Sequence, residues 1–338
     1  MDGLVAAGSP DPGAAGADHA PGAGDVVAGP LTKVGVVRNP RSHANRLRTG
    51  ASADARPNGV HWVEPETPAA LAEDMRRFAA EGVDLVVIDG GDGTVREVLS
   101  ALPEAYGEHP PALAVLASGK TNILALDLGA GREWSLEAVL RRAAEDEPAY
   151  KTRTPLQVSW ADPARPAVWG FVFGLGAFVR ATEMSQSVHR MGAYHSLSVA
   201  LILAGAAIGT LFGGRRDQWR QGVPLTAHLD GEALRAGERF LLMATTLKRL
   251  PFGLKPFGPP TDAMKVLDVD APPRRLLAAL PTLLRGLDAP WLGRNGYRRR
   301  EAAHLTVSLA ASVIVDGEVF AGGEIAVRRG PPMRFLAP

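Results

Sequence analysis

Asp89-Gly-Gly-Asp-Gly-Thr94 concentrates more chemistry than any other stretch of the chain. Its glycines let the backbone turn sharply and come close to a ligand. Amides opening a helix just after it would point outward, with the helix dipole favouring an anion there. That combination suits a nucleotide phosphate. Asp92 is then a carboxylate among phosphates, which calls for a divalent cation, usually Mg²⁺, to offset the repulsion. Thr94-Val-Arg-Glu97 also has the spacing of a capping box, so Thr94 and Glu97 have a structural use as helix starters.

Two further stretches carry usable groups. Ser118-Gly-Lys-Thr121 ends like a Walker A loop, but the glycine needed five positions before Gly119 is Ala114, inside an apolar run. The milder reading is a second phosphate-facing loop with Gly119 close to the ligand; Lys120 is either a cation near phosphate or a solvated side chain. Val313-Ile-Val-Asp-Gly-Glu-Val-Phe320 has the pattern of a hairpin turning on Asp316-Gly317. Leu229-Asp-Gly-Glu232 repeats it, so pattern alone does not separate the two. The 8 histidines form no metal-spaced pair with a nearby carboxylate, which argues against zinc. With Cys 0 there is no disulfide, thiolate site or cysteine nucleophile. No Gly-x-Ser-x-Gly elbow is present either.

The elements around these stretches alternate. Val34–Val37 reads as a buried strand stopped at Asn39-Pro40. Over 68–81, Leu71, Met75, Phe78 and Ala79 share one helical face, and Gly82 closes that helix. Val83–Ile88 is a second strand, Thr94–Leu102 a helix, Leu113–Leu116 a third strand, and Asn122–Leu128 opens another helix. Strand–helix alternation predicts a parallel sheet covered on both faces, a three-layer α/β unit over about 33–152. Beyond it come short, turn-bounded runs: Leu156–Trp160, Val168–Phe173, Leu225–Leu229, Phe240–Thr245, Leu305–Leu309 and Ser312–Val315. They predict a largely antiparallel, β-rich unit over 153–320.

Composition sets the outer bounds. The chain has 338 residues, 46% hydrophobic and 22% charged, a mixture that supports two domains with sizeable cores. A net charge of +1 provides no field to gather nucleic acid. Residues 1–32, rich in Ala, Gly and Pro, read as a flexible tail without the basic start of a secretory signal. Residues 195–214 carry no formal charge but are diluted by glycines, serines and a threonine, so a buried or lipid-facing helix is favoured over a span. Residues 274–300 hold seven Arg against the single acid Asp288, with leucines at helical spacing around Pro281 and Trp291 and Tyr297 just beyond. Two readings fit: a basic edge docking on anionic lipid headgroups, or an ordinary packed helix with a solvated rim.

In the order and spacing of four motifs the chain resembles the diacylglycerol kinase catalytic family, which includes sphingosine, ceramide and bacterial lipid kinases. The motifs are Asn39-Pro40, Gly90-Gly-Asp-Gly-Thr94, Ala117-Ser-Gly-Lys-Thr-Asn122 and Val315-Asp-Gly-Glu318. The resemblance implies the two-domain architecture shared with NAD kinases: an N-terminal α/β domain, completed by 321–338, that holds ATP with Mg²⁺, and a β-rich, sandwich-like domain with helices that supplies the lipid cleft. It implies nucleotide contacts at Asn39, Pro40, Thr67, Gly90, Gly91, Gly93, Thr94, Gly119, Lys120, Thr121 and Asn122. Asp92, Asp316 and Glu318 take the catalytic part, with Glu318 the candidate base. The expected reaction moves the γ-phosphate of ATP onto the hydroxyl of a membrane lipid, diacylglycerol or a ceramide-like sphingolipid. The expected setting is cytoplasmic, at the inner face of an anionic membrane; no oligomeric state is implied. Three departures from the family stand out. Ile123 and Arg153 occupy positions of family acids, and the stretch from Thr261 to Asp268 is shortened. The metal-and-water network those acids serve is therefore expected to be rebuilt or absent, and neither Asp262 nor Asp268 is assigned to a metal. Three rivals are a non-catalytic lipid- or nucleotide-binding homologue, a nicotinamide-nucleotide kinase and a metabolite-kinase relative acting on a sugar.

Overall fold

A computed structural model of the chain describes residues 33–47, 57–131, 133–182 and 220–338. The 1–32 segment and the uncharged 195–214 segment lie outside the described residues.

Continuous apolar runs build the first sheet. β1 (Val34–Arg38) and β3 (Leu85–Gly90) are buried at every position, as strands covered on both faces must be. With β2 (Val60–Val63) and β4 (Ala112–Ala117) they pair in parallel. β18 (Met333–Leu336) lies parallel to β4, and β5 (Tyr150–Arg153) runs antiparallel to β18, giving the order β2-β1-β3-β4-β18-β5. Alternate residues feed two cores. Val37, Val86 and Ile88 join Met75, Phe78 and Leu99, whereas Val36, Leu85 and Val87 join Trp134 and Val139 on the other side.

The helices follow from local signals. α1 (His43–Leu47) is a short turn after β1. α2 (Pro68–Ala80) starts with proline at its first position and Thr67 as its cap, the Thr67 hydroxyl accepting from the Ala70 N–H at 3.1 Å. Its stripe of Leu71, Met75 and Phe78 is buried, and Gly82 stops it with φ +70°. α3 (Asp92–Tyr106) is capped by Gly91, not by Thr94, so the predicted capping box does not form. The Thr94 hydroxyl instead accepts from the Asn39 side-chain amide at 3.1 Å. α4 (Ile123–Leu128) and α5 (Leu136–Ala143) complete this half.

The second half is antiparallel. One sheet has the order β10-β9-β14-β17-β6-β7, from β6 (Leu156–Trp160), β7 (Val168–Gly170), β9 (Thr226–Leu229), β10 (Glu232–Ala233), β14 (His304–Leu309) and β17 (Gly323–Arg329). The other runs β13-β12-β11-β8-β15-β16, from β8 (Val172–Gly176), β11 (Arg239–Thr245), β12 (Met264–Asp270), β13 (Tyr297–Ala302), β15 (Val313–Val315) and β16 (Glu318–Phe320). They share a core in which Leu156, Val158, Leu305, Val307 and Val327 meet Phe173, Leu175, Leu242, Val266 and Val315. β14 shows the alternation expected of a strand with one wet face. The run Val168–Phe173 is divided at Phe171 between the two sheets, because Asp316 accepts from the Phe171 and Val172 amides there. Of 321–338, only β18 returns to the first sheet; β17 pairs with β6 and β14. α6 (Leu276–Leu284) and α7 (Pro290–Arg294) bury Ala279, Leu283 and Leu292 in the core that also takes Phe240, Met243 and Val269.

Candidate functional site

Strand order locates the site. β1 is followed by β2 on one side and by β3 on the other, so the chain reverses direction between β1 and β3; in open parallel sheets ligands bind outside the carboxyl ends at such a point. Three sequence motifs leave from that edge: Asn39-Pro40 after β1, Gly90–Thr94 at the end of β3, and Ser118–Asn122 after β4.

Hydrogen bonds tie the three loops together. Asn39 donates from its backbone to the Asp89 carbonyl at 3.0 Å and from its side chain to Thr94. The Asn45 amide donates to the carbonyls of Asn39 and Asp89, and the Ala44 N–H to the Ser118 carbonyl. Ser118 donates through its hydroxyl to Asp89, which also faces Arg38 at 3.7 Å. Asn122, in the left-handed region at φ +53°, closes its own loop: its side chain accepts from the Gly119 N–H at 2.7 Å and donates to the Gly119 carbonyl at 2.8 Å. Gly91 and Gly119 touch. A Cβ on Gly119 would fall on the Gly91 Cα, and one on Gly91 would come within 3.0 Å of the Gly119 Cα. The loops thus meet backbone to backbone, as a cradle for phosphate requires. Buried here without a hydrogen-bond partner are the Ser42 hydroxyl and the Asn45 side-chain oxygen, polar atoms with bonding capacity left for a ligand.

Asp92 opens α3 and accepts from the Ile123 N–H at 2.8 Å, so its carboxylate also serves the first turn of α4. Burial pushes its pKa up, against the lowering pull of the backbone N–H groups of residues 122–124. Asp316 enters from the opposite half. Asp316-Gly317 forms the tight turn between β15 and β16, with φ +45° and +83°, and its carboxylate accepts from Phe171 at 3.0 Å and Val172 at 2.8 Å. Burial first, and the neighbouring Asp92 charge second, push the Asp316 carboxyl up to about 7; the two amides and Arg96 pull the other way. Glu318, on β16, is exposed, and its carboxylate stands 3.9 Å from Arg96.

The turn at Asp230-Gly231 is built the same way, its carboxylate accepting from Ala303 and His304. Both aspartates therefore clamp a neighbouring strand. Only Asp316 does so beside Asp92.

The remaining predicted residues separate. Gly90 sits against Thr94, where a Cβ would strike its side chain, while a Cβ on Gly93 would meet only the Arg96 guanidinium, at 3.9 Å. Thr121 is half-buried, and Pro40 and Lys120 are exposed at the rim. The Thr67 hydroxyl caps α2 after β2 and is hydrogen-bonded to none of the other site residues among the described residues.

Arg96 escapes the sequence reading. It is buried on α3, 3.6 Å from Glu97 and 3.9 Å from Glu318, with its guanidinium 5.8 Å from the Phe320 ring centroid. One signal was available: Arg96 lies four positions after Asp92, on the same helix face. Ser100, one turn further, accepts from the Trp169 N–H at 3.0 Å and joins α3 to β7.

The departing positions have their own partners. Arg153 forms a buried ion pair with Asp127, whose carboxylate also accepts the Arg249 N–H at 2.5 Å. Asp268 is held by Arg239 at 2.7 Å and Arg298 at 3.1 Å, and Asp262 by Lys248 at 2.6 Å. Cationic side chains thus neutralise these acids. Among the described residues no three metal-ligating side chains cluster, and no helix is long and apolar enough to cross a membrane.

This pairing of a parallel sheet with two antiparallel ones is a known fold. A solved diacylglycerol kinase of Bacillus anthracis str. Sterne shares it at a TM-score of 0.60 and 15% identity, over 91% of this chain and 97% of that one. Another solved chain from that organism reaches 0.65 over 91% and 98%. Residues 33–149 match the family model of the diacylglycerol kinase catalytic domain, which bears out over that segment the resemblance read from the motifs. Among curated proteins, the chain is 33% identical over 110 residues to the "Probable lipid kinase YegS-like" of Enterobacter sp. (strain 638), covering 32% of this chain and 36% of that one. It is 40% identical over 70 residues to the lipid kinase YegS of Escherichia coli (strain K12), covering 21% and 22%. The matched part thus spans little more than a third of these relatives at most.

Proposed function

We propose that the protein is an ATP-dependent lipid kinase that transfers the γ-phosphate to the hydroxyl of a membrane lipid, diacylglycerol or a ceramide-like sphingolipid. One observation carries the reading: Asp92, beside the touching glycine loops, and Asp316, on the hairpin of the other half, share one polar corner. Nucleotide phosphates would lie against Gly90–Thr94 and Gly119, with Asn39, Pro40, Thr67, Lys120, Thr121 and Asn122 along the same edge. The lipid hydroxyl would enter from the β-rich half.

The Asp92 carboxylate at the start of α3 is a hard oxygen donor whose charge among phosphates a divalent cation offsets, so it fits Mg²⁺ carried in with ATP. When bound, that ion supplies charge neutralisation at the phosphates. The chain's own residues do the rest. Asp316, pushed up to about 7, takes the hydroxyl proton. The freed oxygen attacks the γ-phosphorus, and the bond to the β-phosphate oxygen breaks, releasing ADP. Arg96 holds Glu318 and the hairpin against α3. We assign the proton transfer to Asp316 rather than Glu318, because Glu318 is exposed and its carboxylate is turned to Arg96, whereas Asp316 lies beside Asp92 at the touching loops.

The test is the pH profile of lipid phosphorylation in the wild type, Asp316→Asn and Glu318→Gln. The wild type should gain activity through about pH 7, Asp316→Asn should lose ~10²–10⁴-fold, and Glu318→Gln should keep the profile. Loss of the profile in Glu318→Gln alone would reverse the assignment. ATP and vesicle binding with no phosphorylated lipid would favour the non-catalytic homologue.

A further inference from the structure

Five large apolar side chains are exposed among the described residues, and three of them gather at one end of the β-rich half: Phe252 at 62%, Leu277 at 52% and Leu287 at 53%. α6 buries Ala279 and Leu283 and turns Leu277, Pro281 and Arg285 outward, one helical stripe at i, i+4 and i+8. Leu287 follows the helix directly, its N–H donating to the Thr282 carbonyl at 3.0 Å. The turn Pro251–Gly253 abuts the same end, since the Lys255 N–H donates to the Leu284 carbonyl at 2.8 Å. Phe252 at its tip has φ +60°, a left-handed conformation unfavourable for a bulky side chain. The fold therefore holds an aromatic ring in solvent in a strained backbone, a cost that surface packing does not recover.

The charges around this apolar tip have one sign. Arg298, Arg299 and Arg300 pair with Asp270, Asp288 and Glu232 and leave the count. Lys255, Arg274, Arg275, Arg285 and Arg294 remain exposed, and none of them pairs with a described acid. Asp288, the single acid of 274–300, is taken by Arg299.

We propose that Phe252, Leu277 and Leu287 insert into the surface of an anionic phospholipid membrane while Lys255, Arg274, Arg275, Arg285 and Arg294 lie on its headgroups. Apolar tips ringed by cations bind such surfaces by combining burial with attraction to anionic lipid. A protein partner for an all-cationic rim would need an acidic ring around an apolar hollow; a bilayer with anionic headgroups presents both without further design. The proposal rests on the lipid-kinase reading for its purpose and locates the membrane side of that same enzyme.

The test is sedimentation of the full chain with phosphatidylcholine vesicles, with and without phosphatidylglycerol. Binding should require phosphatidylglycerol and weaken with salt. Phe252→Ala combined with Leu287→Ala should lower partitioning by at least about tenfold. Arg274→Gln with Arg275→Gln should lower it by up to about thirtyfold, with melting temperature unchanged in both variants. Both should also lose phosphorylation of vesicle-embedded diacylglycerol while keeping that of short-chain, detergent-dispersed diacylglycerol. Equal binding to neutral vesicles, or wild-type partitioning in either variant, overturns the docking surface. A wild-type dimer that dissociates in both variants overturns it in favour of a second copy. Vesicle binding without any phosphorylated lipid would sink the kinase reading and leave the docking surface standing.

Discussion

Replacing Asp316 by Asn tests whether its carboxyl is held out of its ordinary range by burial and by Asp92. Asn keeps an acceptor oxygen for the Phe171 and Val172 amides and removes the charge. The group moves from 3.8 to about 7 on folding, so the native state resists its ionisation. Its stabilising share is fully present below pH 3.8 and is lost as pH rises to about 7. About three units at 1.36 kcal/mol each set a ceiling of ~4 kcal/mol, and solvent reaching a partly exposed carboxyl reduces this to ~2 kcal/mol. Asp316→Asn should therefore melt higher than the wild type above neutrality, by roughly 3 °C, with the gap shrinking toward acid pH. Adding Asp92→Asn to the wild type should narrow that gap by removing the second cause. Differential scanning calorimetry from acid to mildly alkaline pH is the assay. A gap that does not change with pH, or a variant less stable throughout, would refute the placement of Asp316 beside Asp92.

Three other substitutions have defined outcomes. Asp92→Ala should abolish lipid phosphorylation with an unchanged circular dichroism spectrum, and should cost ~1 kcal/mol in denaturant titration because α4 loses its acceptor. Gly119→Ala places a methyl on the Gly91 Cα and forces the two loops apart; ATP binding by calorimetry should weaken more than tenfold, and stability should fall by ~1–3 kcal/mol. Arg153→Ala leaves Asp127 buried with its charge uncompensated, a loss of about 3–5 kcal/mol by denaturant titration that Asp127→Ala in the same chain should partly restore.

Local patterns were enough for the parallel sheet. β1, α2 and β3 are legible because the strands carry the apolar runs Val34–Val37 and Leu85–Ile88 and the helix repeats its apolar stripe at Leu71, Met75 and Phe78. The three loops at the carboxyl edge were legible as well, since strand–glycine–helix order brings them to one side. What stayed hidden depends on contacts between distant segments. Asp230 and Asp316 sit in indistinguishable turns, and only the approach of α3 gives one of them Asp92 as a neighbour. Arg96 reads as a solvated helix residue until β16 covers it. Arg153 on β5 stands at the position of a family acid, yet its partner Asp127 comes from α4, 26 positions earlier, and restores neutrality. In 274–300 the charge run looked uniform; β13 pairs three of its arginines, two with acids of other segments and one with the segment's own Asp288, whereas the helical ones stay exposed.

The most direct measurement is the fate of the terminal phosphate. Purified protein is incubated with γ-labelled ATP, Mg²⁺ and vesicles containing diacylglycerol or ceramide, and the organic phase is separated and its labelled lipid identified. Label should appear in one of these lipids with the wild type and be absent with Asp92→Ala. Label confined to the aqueous phase with every lipid, or equal labelling by Asp92→Ala, would contradict the account.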